Sequence, residues 1–150
     1  MSAPAGSTRL ERTPDDDAET RMASISALFE PTSVAVIGAS DDPTRIGGRP
    51  IRYLREAGFG GAIYPVNPNR SLVQGLPAHA TLASITSAVD LAVVALPAEQ
   101  VLDALAACAA KGVRVVIVFS AGFAEADEAG AQRQRAMAQR LDLKARRAQR

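Results

Sequence analysis

The chain has 150 residues, a length that suits one domain, and 47% apolar residues, enough for a core. Aromatics are only 4%, Trp is absent and the net charge is +1, so the core must be aliphatic and no global field points to nucleic acid or a membrane surface. One Cys and one His exclude an internal disulfide and a zinc constellation, and no apolar run approaches the ~20 residues of a membrane span.

Residues 1–21 are polar, contain Pro and lack an apolar period, which predicts a disordered tail. The tail also lacks the basic and apolar regions of a signal peptide, so a soluble cytoplasmic protein is expected. Its cluster Asp15, Asp16, Asp17 reads as a solvated charge run rather than a metal site. Ile25, Leu28 and Phe29 have helical spacing before Pro31, predicting a short helix packed on a sheet edge.

Strands and helices then alternate. Residues 34–37 are a fully apolar strand. Residues 50–57 form a helix with Pro50 in its first turn, Ile51 and Leu54 facing inward, and Gly58 at its end. Residues 62–66 are a second strand. "NPNRSLVQGLPAH" reads as a loop with three turn signals, and "ATLASI" as one or two helical turns. Residues 90–96 form a third strand. Residues 98–110 form a helix with Val101, Leu102, Leu105 and Cys108 on one face, stopped by Lys111 and Gly112; Cys108 is therefore read as a buried structural thiol rather than a reactive one. Residues 113–119 form a fourth strand, and a polar, helix-prone tail follows. Continuously apolar strands alternating with helices predict an α/β, Rossmann-like parallel sheet with helices on both faces.

In such sheets ligands bind beyond the carboxyl ends of the strands. Four segments lie there: Gly38-Ala39-Ser40; Val66-Asn67-Pro68-Asn69-Arg70; Leu96-Pro97-Ala98; and Ser120-Ala121-Gly122-Phe123. All are small, polar or Pro-bearing, and none is an evident catalytic acid or base. The stretch "VAVIGASDDPTRIGG" has the strand–loop–helix shape of an anion site, with backbone N–H groups and a helix dipole converging after Gly38. Ser40 adds a hydroxyl; the alternative is that Ser40 and Asp41 only cap and turn the chain. A Walker loop is absent. For G-x-G-x-x-G, positions 40 and 43 are Ser40 and Pro43 instead of Gly. Where a dehydrogenase carries an acid for the ribose, this chain has Asn67-Pro68-Asn69-Arg70, which suits a nucleotide with a 2′- or 3′-phosphate. A nucleophile elbow fails at Asp42 and at Val118, and His79 reads as a surface loop residue, so a Ser-His-Asp triad is not expected.

The segments "LFEPTSVAVIGASDDPTRIGGRPIRYLREAGFGGAIYPVNPN", "VDLAVVALPAEQV" and "GVRVVIVFSAGFAE", in that order, resemble the N-terminal CoA-binding domain of NDP-forming acyl-CoA synthetases, similar to the α-subunit of succinyl-CoA synthetase. The resemblance covers roughly residues 25–140. It implies coenzyme A or acyl-CoA as ligand. Gly38, Ala39 and Ser40, with Asp41, Arg45 and Gly47 of the following loop, would hold the CoA diphosphate. Val66, Asn67, Pro68 and Arg70 would lie by the adenosine, with Arg70 where the α-subunit type has a Lys. Ala95, Leu96 and Pro97 would line the CoA path, and Ser120, Ala121, Gly122 and Phe123 would close it.

Full-length members of that family continue into a fifth strand near a "GPNC" motif, then a flavodoxin-like domain with a phosphorylated His and an ATP-grasp domain. From Gly130 on, this chain has seven basic residues and one acid. A truncated or altered reading frame is expected to explain that tail better than a nucleic-acid patch, with a solvated helix end as the plain alternative. The expected organisation is a tail over 1–21, the CoA-binding domain over 22–125 and a helical basic tail over 126–150. The expected role is CoA binding without ligase turnover by this chain alone, either as a CoA sensor or as one part of a split enzyme whose other ligase domains are on another chain. The rival readings are an NAD(P)-binding oxidoreductase domain and a non-enzymatic interaction domain with an open sheet edge.

Overall fold

The computed structural model describes residues 14–120, together with Gln132, Arg135 and Gln139, which are helical and exposed. Four strands form a parallel sheet: β1 (Ser33–Ile37), β2 (Ala62–Val66), β5 (Leu91–Val94) and β6 (Val115–Val118), in the order β2-β1-β5-β6. The chain runs outward from β1 to β2, then crosses back over β1 to β5. The topological switch therefore lies between β1 and β5. In register, Ile37 stands beside Val66 on one side and Val94 on the other.

All five residues of β1 and all four of β5 are buried, as expected for strands covered on both faces. β2 and β6 flank them in the order, and the residues of β6 are only half-buried.

Each face of the sheet has its own core. Helix α2 (Arg49–Glu56) covers one face, where Ile51 is 0% exposed among Val34, Val36, Val73 and Val93. Helix α3 (Ala98–Lys111) and a short 3-10 turn (Leu82–Ser84) cover the other, with Val101, Cys108, Leu82 and Ile85 packed on Ala35, Ile37, Ala92 and Val94. The buried stripe of α3 is Ala98, Val101, Ala104 and Cys108, whereas the expected Leu102 and Leu105 flank it half-buried.

At the amino ends of the strands, Asp90 forms a knot. Its Oδ2 accepts from the Thr32 N–H at 2.9 Å and from the Thr32 hydroxyl at 2.6 Å. Its own N–H donates to Ser33 Oγ, and Ser33 Oγ donates to the Ala88 carbonyl. Arg114 Nη1 lies 3.5 Å from Asp90 Oδ1. The entries to β1, β5 and β6 are thus tied at one carboxylate, whose pKa is held below the ordinary value. The Thr32 hydroxyl is the main cause, then the Thr32 N–H, with Arg114 adding and burial opposing.

Four expectations are corrected. Helix α1 (Pro14–Phe29) begins well before Met22, so part of the expected disordered tail is helical. Proline suits a first turn, and Asp15, Asp16 and Asp17 stand at the positive end of the helix dipole. The expected inward face of this helix is not buried: Ile25, Leu28 and Phe29 are 51%, 41% and 78% exposed, and Ala27 is the buried residue. Among the described elements, α1 packs mainly against β6. Finally, the expected loop after β2 holds an antiparallel hairpin, β3 (Leu72–Val73) and β4 (Leu76–Pro77). His79 is not a simple surface residue but is half-buried. It bridges in parallel to Val66, its N–H donates to the Pro65 carbonyl, and its ring stands edge-on to Tyr64 at 5.7 Å.

Candidate functional site

The loop from Gly38 to Gly48 connects β1 to α2 at the switch point. Gly38 has φ +82°, and a Cβ there would stand 2.4 Å from the Ala95 carbonyl oxygen. Only glycine lets β1 turn this sharply against the end of β5. The loop then folds back on itself. Ser40 N–H donates to the Gly47 carbonyl at 3.2 Å. A Cβ on Gly47 would come within 2.0 Å of the Gly38 oxygen, and one on Gly48 within 1.9 Å of the Asp42 oxygen. The glycines of "RIGG" therefore serve close backbone approach.

Several backbone donors of the loop are spent internally. Gly38 and Ala39 N–H both donate to the Val66 carbonyl, Asp42 N–H to Ser40 Oγ, Thr44 N–H to Asp42 Oδ1, and Arg45 N–H to the Asp42 carbonyl. The N–H groups of Asp41, Ile46 and Gly47 donate to no protein acceptor among the described residues. These three, with the amino end of α2, are the loop's free donor set for an anion.

The two loop carboxylates are each answered by a cation. Asp42 accepts from the Thr44 hydroxyl at 2.6 Å and pairs with Arg45 Nε at 3.7 Å. Its pKa is lowered, chiefly by the Thr44 hydroxyl, then by the Thr44 N–H, with Arg45 adding. Asp41 Oδ2 lies 3.8 Å from Arg70 Nη1. Arg49 Nε donates to the Thr44 carbonyl, so three arginines edge the loop.

Beside the loop, a groove of about 500 Å³ opens over the ends of β1 and β2. Its walls include Ile37, Gly38, Val66, Asn67 and Pro68 on one side, and Leu96, Gln100, Asp103 and Ala104 on the other. Asn67 links groove and loop: its Nδ2 donates to the Ala39 carbonyl at 2.9 Å, and its Oδ1 accepts from Asn69 N–H.

The structure thus brings together most of the residues singled out from the sequence. Gly38, Ala39, Ser40, Asp41, Arg45 and Gly47 share the loop, and Gly38, Val66, Asn67, Pro68 and Leu96 share the groove. Arg70 does not line the groove and stands instead at the loop, facing Asp41. The hydroxyl oxygen of Ser40 takes part in the turn by accepting from Asp42 N–H. Ala95 is buried and donates its N–H to the Ile37 carbonyl, while Pro97 is exposed at the start of α3. Ser120 is half-buried, and Ala121, Gly122 and Phe123 lie outside the described residues.

Sequence reasoning missed Gln74. Its signal was the Gln74-Gly75 pair between apolar Leu72-Val73 and Leu76, a short hairpin pattern. Among the described residues no cluster of His, Cys, Asp or Glu is suited to a metal ion, and no helix is long and apolar enough to cross a membrane. Burial pushes the Cys108 thiol up to about 11.

A family model described as a CoA binding domain matches residues 32–145. The chain is 42% identical over 108 residues to an ADP-forming acetate–CoA ligase II of Archaeoglobus fulgidus, covering 72% of this chain and 16% of that protein. It is 41% identical over 103 residues to the α subunit of an ADP-forming acetate–CoA ligase II of Pyrococcus furiosus, covering 69% and 22%. Among solved structures it is similar to the apo form of a dinucleotide-forming acetyl-coenzyme A synthetase 1 of Ca. Korarchaeum cryptofilum. The TM-score is 0.71 at 33% identity, over 77% of this chain and 25% of that one. The chain therefore spans a quarter or less of the length of these relatives.

Proposed function

The chain belongs to the CoA-binding domain family, and we propose that its loop from Gly38 to Gly48 holds the diphosphate of coenzyme A or an acyl-CoA. The observation that carries this reading is the free donor set of Asp41, Ile46 and Gly47 N–H at the amino end of α2, in a loop whose carboxylates are already paired. A phosphate oxygen there accepts from rigid backbone donors and meets the positive end of the helix. The donor chemistry fits the group. So does the groove beside the loop, whose Ile37, Val66, Leu96 and Ala104 supply apolar surface for the less polar parts of the cofactor.

Arg70 is assigned to the 3′-phosphate. Its side chain is 55% exposed and its present partner is Asp41. A second anion can share it without stranding a buried charge. The role is cofactor binding rather than the chemical step of a ligase. The described strand ends carry no nucleophile with an adjacent base, and the ligase activity of the longer relatives is supplied, in this reading, by further domains acting with this one.

Calorimetric titration with CoA, dephospho-CoA and NADPH tests the assignment. CoA is expected to bind more tightly than dephospho-CoA by roughly fivefold, the order of one exposed ion pair of about 1 kcal/mol. Arg70→Met should remove that preference. Equal affinities in the wild-type chain would remove the role of Arg70, and binding of NADPH without CoA would overturn the whole reading.

A further inference from the structure

Gln74 has φ +48°, in the left-handed region that side chains other than glycine seldom adopt. Such a conformation persists where the surroundings over-determine it, and here the determinants are visible. The Gln74 side-chain amide donates from Nε2 to the Ser40 carbonyl at 3.0 Å and to the Gly48 carbonyl at 3.0 Å. Its backbone N–H donates to Asp41 Oδ1 at 2.7 Å. Its carbonyl accepts from Arg55 Nη1 of α2 at 2.7 Å. One residue at a hairpin tip therefore touches the start of the anion loop, its end, and the helix behind it.

From these contacts we infer that Gln74 is a positioning residue for the anion site. Its primary amide is suited to this task, because it presents two N–H donors to two carbonyls. Held in this way, the Ser40 and Gly48 carbonyl oxygens, acceptors that would repel an anion, are answered by the Gln74 amide. The Ser40–Gly47 hydrogen bond is kept closed by the same clamp. Gln74 also acts at the mouth of the loop. By fixing Asp41 Oδ1 it sets the place of Asp41 Oδ2, and with it Arg70 at 3.8 Å. The hairpin thus preorganises both the diphosphate cradle and the cation assigned to the 3′-phosphate, at a distance of 26 and 34 residues along the chain from Gly48 and Ser40. This inference rests on the CoA-binding reading of the loop for its functional half; the clamp itself is a property of the free protein.

Two variants separate the amide from the backbone. Gln74→Gly removes the amide and suits a positive φ, so the turn itself is not strained. Gln74→Glu keeps the shape and sets a carboxylate against two carbonyls and Asp41. In hydrogen exchange on the ligand-free protein, the loop amides of Ser40, Arg45 and Gly48 should exchange at least tenfold faster in Gln74→Gly. The amides of Ala92 and Val94 in β5 should keep their wild-type rates. A merely structural role would speed both sets together. CoA affinity should fall at least tenfold in Gln74→Gly and further in Gln74→Glu. Wild-type exchange rates in the loop, or equal acceleration in β5, would overturn the clamp. Wild-type CoA affinity in Gln74→Gly would overturn its functional half. Failure of the wild-type chain to bind CoA would instead overturn the binding reading, and loop exchange would still decide the clamp.

Discussion

Replacing Gly47 by alanine is the most direct challenge to the loop geometry. The new Cβ would stand 2.0 Å from the Gly38 carbonyl oxygen, 3.1 Å from its carbon and 3.4 Å from Ser40 N. A relaxed carbon–oxygen contact is about 3.3 Å, so the two backbone segments must part by about 1.3 Å. Neither side is a flexible side chain, so the loop itself has to move. The Ser40 N–H to Gly47 carbonyl bond, already 3.2 Å long, joins those same two segments and would break. Losing it costs about 1 kcal/mol, and the overpacking a further 1–3 kcal/mol or so. The expected loss is about 2–4 kcal/mol in urea-induced unfolding, with CoA affinity reduced at least tenfold by calorimetry. Gly60→Ala is the matched control, since a Cβ there meets nothing within 4 Å. It should change stability by no more than about 0.5 kcal/mol. A Gly47→Ala chain with wild-type unfolding and wild-type affinity would refute the claim that this glycine is required by close approach.

Two further outcomes follow from the ionisable groups. The folded pKa of Asp90 lies below its unfolded value of about 3.9, so its contribution to stability is complete above that pH and is lost as pH falls through the folded value. The urea midpoint should therefore drop on acidification below about pH 4. Asp90→Asn should be less stable at pH 7 and show a shallower acid dependence; parallel acid profiles for the two chains would remove the role of Asp90. Cys108, with its thiol pushed up to about 11, should react with a thiol reagent at pH 8 roughly a hundredfold more slowly in the native chain than in denaturant. Rapid native labelling would contradict its buried placement.

The sheet was legible in the sequence because its strands are short apolar runs bounded by turn residues. The expected second strand, residues 62–66, agrees with β2 residue for residue. The strand ends could be read for the same reason, and with them the loop, Asn67 and Leu96. The hairpin was marked in the sequence only by the Gln74-Gly75 pair at its turn. Each of its strands has two residues, too few to show a period, and Leu72 is exposed while Val73 is 0% exposed. The role of Gln74 was hidden, since nothing in its neighbours along the chain signals that its amide meets carbonyls far away. Helix α1 misled in the opposite way. Its 25, 28, 29 spacing is that of a buried face, but burial depends on which surface remains uncovered, and that is set by α2 and α3. Arg70 was recognised for its charge, whereas its pairing with Asp41 came only from the fold.

The Asp90 knot and the glycine loop sit at opposite ends of β1, five residues apart. That is roughly 17 Å of extended chain, beyond the range over which substitutions usually couple. The domain is in this sense a rod with two independent adjustments. Changes at the knot alter stability and leave the loop untouched, whereas changes in the loop, Gly47→Ala among them, alter both stability and grip. Effects at the two ends should therefore add.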